Sequence, residues 1–500
     1  MCFPTRAARV VGLAALFMVI LFTVPLATTF YVATNGNDAN PGTSAQPWRT
    51  LQKAANTVHA GDLVLVANGN YVGFQVTADG TSASRITFRA NGNNVVVNAR
   101  NASTPDNINI EGGNYVTVEG FIVDNAPRVG IRAVTATGVV IRNNRISDSG
   151  LDGILTGYTP LIQIIDNVAS GSVQEHGIYV SNSNSPADNP ILRGNECFDN
   201  NQNGMQINGD CWTNGDGIIS GALVENNIIH HNNWKGFSMI SLQSSTIRNN
   251  VVYENGISAG AGGIHLADQP DCGLPSNNNV VANNTIHEPR IAGIRMTNGS
   301  TNNTIFNNLV VSYSIANTIV DESGGNHIDP VSNLKFTSVS GLFLGVGAGD
   351  YHLLPNSPVI DDGVSSYRSV PAPTADADGV ARPQGPRPDV GSFERASATG
   401  IGDTPGLDVT LEQNAPNPFG GSTRIAFTVP DGAQTRIDME VYDAQGRRVR
   451  SLASDPQASG RVEVSWDGRN DAGQQVASGV YFYKLSTPRG AMTRRMTLLR

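Results

Sequence analysis

From about Thr137 to Val310 one arrangement of polar and apolar positions recurs along the chain. An Asn, usually the second of a polar pair, is followed two places on by a small or apolar residue: Asn144 by Ile146, Asn167 by Ala169, Asn195 by Cys197, Asn227 by Ile229, Asn250 by Val252, Asn284 by Ile286 and Asn308 by Val310. Successive members lie 23 to 34 residues apart. A second phrase keeps pace with the first, a Gly followed by an apolar residue, at Gly153, Gly177, Gly204, Gly236, Gly263 and Gly293. Self-similarity at such a period marks a solenoid, in which each unit is one coil that buries its apolar positions only against its neighbours.

Alternation along a strand sends successive residues in and out, so each coil is expected to turn its Ile, Met or Phe inward and its intervening residues outward. Stacked coils place the seven Asn residues in one inward column, where each amide can bond the backbone and the next amide, a scaffold role. Ahead of the sharp repeats, ITFRA, NVVVNA, INIEGG, YVTVEGFIVD and VGIRAV between Ile86 and Val134 are candidate strands. Leu51, Ala54, Ala55 and Val58 fall at helical spacing behind Thr50 as N-cap, and Asp62 to Ala67 follows as a strand. A short helix there would cover the apolar cross-section that a solenoid exposes at its start.

Composition supports strands and turns. Glycine is abundant, with 54 residues, and Gly and Asn tolerate the left-handed backbone of tight turns while disfavouring helices. The formal charge of -9, with no basic stripe, argues against a nucleic-acid-binding role. Arg6 and Arg9 precede an apolar run from Val10 to Ala27, which reads as a secretory signal peptide, the alternative being an uncleaved membrane anchor. Export permits disulfides. Cys2 leaves with the signal, Cys197 takes an inward position, and Cys211 and Cys272 each follow an Asp in a long insertion, where either a disulfide or two free thiols fits.

Asn35 to Thr43 (NGNDANPGT) and Pro47 to Ala54 (PWRTLQKA) resemble the N-terminal cap of right-handed parallel β-helix proteins of the pectate-lyase-like kind. The resemblance covers roughly Tyr31 to Ala396 and implies an all-β chain, a right-handed parallel β-helix followed by a small antiparallel β-sandwich. Asp350 to Glu394 is similar to the closing segment that follows the last coil in such proteins; Asp376, Asp378 and Gly379 within it form a turn rather than an EF-hand. Past a small-residue linker, alternating runs at Arg424–Val429, Arg436–Tyr442, Val462–Trp466, Val480–Leu485 and Met492–Leu499 predict the sandwich. Its LEQNAPNPF opening at Leu411 to Phe419, its GVYFYKL run and its basic tail (Arg494, Arg495, Arg500) resemble a type IX secretion sorting domain, similar in fold to the immunoglobulin-like domain of flagellar hook-capping proteins. That resemblance implies the type IX machinery as a partner and a secreted or outer-membrane-surface location. The expected organisation is signal peptide 1–29, cap 30–72, coils 73–326, closing segment 327–396, linker 397–408 and sandwich 409–500, with a monomer as the expected state.

Candidate chemistry sits on the outward side of the Gly-phrase strands. Just before each Gly the row reads Asp152, His176, Asn203 and Lys235; the next row reads Tyr179, Gln206, Ser238, His265 and Arg295; the third includes Asn208 and Thr297. With coils about 4.8 Å apart, Asp152 to Lys235 spans roughly 14 Å, room for a sugar chain. Insertions at Ser183–Asn189, Asp210–Ser220 and Asp268–Asn277 supply walls carrying Asp210, Trp212 and Asp216. For an acidic extracellular polysaccharide containing uronate, removal of the proton α to the carboxylate needs a base, Lys235 or His176, and an enolate stabiliser, Arg295, His265 or a metal at Asp210 and Asp216. Asp152, Asn203, Gln206, Asn208, Trp212 and His265 are the substrate-binding candidates. Pectate-lyase-like families use Lys or Arg bases with calcium held by clustered carboxylates, and this chain has no contiguous Asp cluster on one strand; mannuronan-epimerase-like β-helices use His and Tyr near an acid, which Asp152, His176 and Tyr179 echo. Lysine occurs only at 53, 235, 335 and 484, so Lys235 stands out. Two functions fit: a lyase or C5-epimerase, or a surface module that binds glycan without chemistry.

Overall fold

The computed structural model describes residues 27–499 apart from 182–187, 213–214, 259, 270–271, 396–409, 430–434, 437, 444–446, 454–455, 458–459 and 488–489. The apolar N-terminal run and the 397–408 linker therefore lie outside the described residues. Three long parallel sheets of 12, 10 and 11 strands dominate, each coil contributing one strand to each sheet. The chain is nearly all β, a right-handed parallel β-helix followed by small antiparallel sheets. Thr50 caps the short helix Leu51–Ala55, accepting the Lys53 amide at 3.1 Å, and Leu51, Ala54 and Ala55 are buried.

The register is the one the repeats predict. Ile154, Ile178, Met205, Phe237, Ile264 and Ile294 pair in sequence across six coils and are buried. Cys197 stacks between Ala169 and Ile229, buried as a small apolar residue. The Asn column forms a continuous ladder. Asn227 shows the pattern: its Oδ1 accepts from the Asn195 amide nitrogen (2.9 Å) and Nδ2 (3.0 Å), while its own Nδ2 donates to the Leu192 carbonyl and to Asn250 Oδ1 (2.9 Å each). The ladder continues past Asn308 to Asn333.

The first member of each polar pair has a separate task. Asn143, Asn226, Asn249, Asn283 and Asn307 adopt φ of 52 to 57°, the left-handed conformation that Asn tolerates better than most residues. Late in the solenoid their amides also reach out: Asn249 Nδ2 donates to the Ala375 carbonyl at 2.9 Å and Asn307 Nδ2 to that of Val364 at 2.8 Å. The closing segment is thereby fastened along the flank of the last coils, with Leu342, Tyr351, Leu353, Val359 and Val390 packed on Val251, Leu309 and Val311. Within it, Asp376 accepts the amides of Asp378, Val380 and Glu394, a turn that consumes its own carboxylate.

A second inter-coil ladder runs five residues further on, Asn200 to Asn232 to Asn255 (2.9 Å each), ending on the buried carboxylate of Glu288 at 2.8 Å. The C-terminal sandwich sets a three-stranded sheet, which includes Thr423–Val429 and Gly460–Trp466, against a four-stranded one, around Trp466, Phe427, Val441, Tyr483 and Leu485. The strand Arg448–Ala453 was not expected: it is the edge of the four-stranded sheet, and its charged RVRS sequence suits an exposed edge better than an alternation test.

Candidate functional site

The candidate groove is the outer surface of the ten-stranded sheet, over the strands Ile178–Ser181, Met205–Asn208, Phe237–Ile240 and Gly262–Ala267. Its middle row is in the expected register, Tyr179 with Gln206, Gln206 with Ser238, Ser238 with His265 and His265 with Arg295. The row before the glycines differs from the expectation. Asp152, His176 and Asn203 are only 2%, 3% and 2% exposed, so they do not form an open floor.

They form another ladder instead. Asp152 Oδ1 accepts the His176 backbone amide at 3.1 Å, His176 Nδ1 accepts that of Asn203 at 3.3 Å, and Asn203 Oδ1 accepts that of Lys235 at 3.2 Å. Each side chain satisfies the amide of the next coil, which is why an acceptor stands at each position. The sugar-binding role expected of Asp152 and Asn203, and the base role expected of His176, are displaced by this structural one. Burial pushes the Asp152 carboxyl up to about 7. Burial, then the charge of Lys235, pulls the His176 imidazole down to about 3, so it stays neutral with its acceptor nitrogen occupied.

Lys235 ends that ladder and is the first of its members that is not fully buried. Its Nζ donates to Ser238 Oγ at 3.3 Å. Burial, reinforced by Arg295, lowers the ammonium to about 8, so about a tenth is free amine at pH 7, far more than for an ordinary lysine. His265 is held neutral at about 3 by burial and by Lys235 and Arg295, which makes it a hydrogen-bonding group and not a cation. It meets Thr297 Oγ1 at 3.0 Å through Nε2, and its Nδ1 is buried without a partner, as is Arg295 Nε. Arg295 Nη2 donates to Glu322 Oε1 at 2.5 Å, a contact with no counterpart among the sequence candidates. Tyr179 lies edge-on to His176 (centroids 5.3 Å), is raised by burial and so remains a phenol, and approaches Asn208 Nδ2 at 3.4 Å. It stands two coils, about 10 Å, from Lys235, with Gln206 between.

Cys211 and Cys272 form a disulfide, Cα to Cα 6.1 Å, tying the two insertions together. Trp212 beside it is 69% exposed. Asp210 Oδ1 accepts the Trp212 amide and Asp216 Oδ1 that of Ile218, both within their own turns. Among the described residues no group of three or more His, Cys, Asp or Glu is arranged to hold a metal ion. Asp210 and Asp216 each spend an oxygen on an amide of their own turn, and no described carboxylate joins them in a calcium-binding set. His230 and His231 lie on a different sheet, against Glu196 and Glu254. Trp234, immediately before Lys235, is 42% exposed.

A three-sheet parallel solenoid with an appended sandwich defines the class. The chain belongs to the Pel9A-like right-handed β-helix family, whose description matches residues 30–314, and residues 413–490 match the FlgD Ig-like domain. Among solved structures, pectate lyase Pel9A superimposes with a TM-score of 0.55 at 18% identity, covering 75% of this chain and 98% of that one. A rhamnogalacturonan lyase gives a TM-score of 0.40 at 17% identity over 62% and 87% of the two chains. Likeness at these identities is one of fold. The uncharacterized protein YwoF of Bacillus subtilis (strain 168) is 30% identical over 136 residues, 25% of this chain and 29% of that protein, so the chain spans less than a third of that relative.

Proposed function

We propose that the protein is a polysaccharide lyase, or a C5-epimerase of the same first step, acting on a uronate-containing glycan with Lys235 as the base. The observation that carries this is Lys235 itself: a largely buried but still accessible lysine on the groove floor, brought to about 8 by burial and Arg295. The free amine takes the proton α to the carboxylate of a bound uronate. Arg295, two coils from Lys235 on the middle row, is the cation for the carboxylate as it gains enolate charge. The glycosidic oxygen then leaves the β carbon, taking up the proton that Lys235 has gained or one from water, and gives an unsaturated product; a proton delivered by water to the other face instead, with the glycosidic bond kept, gives the epimer. Tyr179, Gln206 and Asn208 contact the neighbouring sugars. Pel9A and the rhamnogalacturonan lyase carry lyase names on this fold, which supports the choice of reaction class.

Secretion to the medium or the outer-membrane surface is part of the same proposal, supported by the apolar N-terminal run and the basic-tailed sandwich. The test is incubation of the secreted protein with pectate, alginate and glycosaminoglycans while following ultraviolet absorbance of unsaturated products and polymer stereochemistry. Lys235→Ala should abolish whichever change is seen. Unaltered polymer in every case overturns the catalytic proposal and leaves a non-catalytic glycan-binding surface protein.

A further inference from the structure

Arg494 and Arg495 read in sequence as part of a basic tail, and the groove chemistry makes no use of them. Their strand, Gly490–Leu498, is the second edge of the four-stranded sheet of the sandwich. Met492, Met496 and Leu498 alternate onto the sandwich core, while Thr493 and Arg495 are exposed. Arg494 falls on the core side of that alternation, paired with the buried Tyr483. A guanidinium at such a position is costly unless its stem is packed and its charge is met. The side chain is only 18% exposed. Its Nε donates to the Leu411 carbonyl at 2.8 Å, inside the sandwich, and its Nη2 to Asp350 Oδ2 at 2.5 Å, outside it.

Asp350 opens the strand Asp350–Leu353 of the closing segment, and that segment holds the carboxylate ready. Asp350 Oδ1 accepts the His352 backbone amide at 3.1 Å and meets His352 Nδ1 at 2.6 Å. The other ring nitrogen of His352 meets Asp378 Oδ2 at 2.7 Å, and the imidazole stacks on Phe393 at 4.0 Å. Oδ1 is thus spent within the segment, and Oδ2 is the oxygen offered to Arg494. Burial by itself would raise the Asp350 carboxyl, but the hydrogen bond and charge of His352, with the charge of Arg494, hold it well below the ordinary carboxylate range. A carboxylate fixed in this way needs no further ordering to receive a cation. Two more contacts fall on the same flank. A methyl group added at Gly479, which starts the strand paired with Gly490–Leu498, would lie 3.2 Å from Asn93 Nδ2. Arg495 is among the charges felt by Asp166 and Glu196.

Asn93 and Asp166 stand in turns between the 12- and 11-stranded sheets, and Glu196 lies on the 11-stranded sheet, against which the closing segment also packs. The groove is on the ten-stranded sheet. We propose that the sandwich docks in cis on the flank of the solenoid, its basic last strand serving as the interface and the solenoid as its partner, with the groove left open. A partner that reads Arg494 must first displace the solenoid. Small-angle scattering of the full chain tests the docking, with far-UV dichroism and melting to report that both domains are folded. The parent should fit one compact particle. Arg494→Glu, which sets two carboxylates face to face, should increase the radius of gyration and the maximum dimension as the sandwich leaves the flank. Asn93→Trp should do the same from the solenoid side, because it puts a bulky ring on an exposed turn where Gly479 approaches and leaves the ion pair untouched. It also keeps the test open if Arg494→Glu unfolds the sandwich. Opening by either variant with both domains folded supports the docking. A parent already extended in solution, or parent dimensions kept by every variant that folds, would overturn it. Turnover enters neither outcome, so a groove without activity leaves the result intact.

Discussion

Two columns of side chains run up the coils, and they differ in where they stop. The column of Asn144, Asn167, Asn195, Asn227, Asn250, Asn284 and Asn308 is uniform, because an amide both accepts from the coil on one side and donates to the coil on the other. The column of Asp152, His176 and Asn203 uses a different acceptor on each coil and has only one obligation, the backbone amide of the next. At the next position the series of acceptors ends: Lys235, a donor, stands where the acceptor facing the coil of Gly262 would be. A repeat that must be satisfied keeps its residues identical; a column with spare capacity can end in a functional group.

The sharpest break of this comparison is at Lys235. If it is the base, Lys235→Ala should lower kcat/KM by about 10³-fold, within the range for a lost general base, while the melting temperature stays near that of the parent. Equal loss of activity and stability would make it one more rung. Removing a true rung should act the other way. Asn227→Ala orphans two donors on Asn195 and removes the side-chain donor from the Leu192 carbonyl and Asn250 Oδ1, which keeps only the residue-227 backbone amide, and should destabilise by about 3 kcal/mol in denaturant unfolding. A change below about 1 kcal/mol would mean that the ladder is decorative.

The titration of Lys235 gives a smaller and more specific effect. The reactive form is the free amine, so kcat/KM should fall about tenfold per pH unit below about 8 and level off above it. The sign follows from burial and Arg295 disfavouring the ammonium, which moves the inflection down from the ordinary lysine value; Arg295→Gln should move it back up. An inflection near 10 in the parent enzyme would remove the influence of both.

Much of this architecture was legible in the order of residues. The Asn column, the inward place of Cys197 and the middle row from Tyr179 to Arg295 followed from period and alternation alone, because a solenoid makes each position's neighbour the same position one coil away. The burial of Asp152 and His176 did not follow. Alternation says which way a residue points but not how deeply a corner of the coil sits, and only the column of acceptors, Asp, His and Asn, hinted that backbone amides were waiting for them. The second ladder at Asn200, Asn232 and Asn255 was readable in principle, five residues after the first, yet a glutamate at Glu288 ends it and hides the repeat.

The finest test is at Asp152, where the two explanations of that column differ by one atom. Asp152→Asn keeps the oxygen that accepts the His176 amide and removes only the ionisable group, so stability should change by less than about 1 kcal/mol near pH 4 and activity should hold. Its pH dependence carries the sign. The buried carboxyl, near 7 and ordinarily 3.8, keeps its proton in the folded chain after the unfolded chain has lost it. Between those values the folded state binds more protons, so the parent loses stability as pH rises through the window, and the Asn variant should lack that slope. Melting curves from pH 4 to 7 for the pair would show it. Loss of activity with stability intact would instead place the carboxyl among the reacting groups, and the mixed column would then be chemistry from its first rung rather than its last.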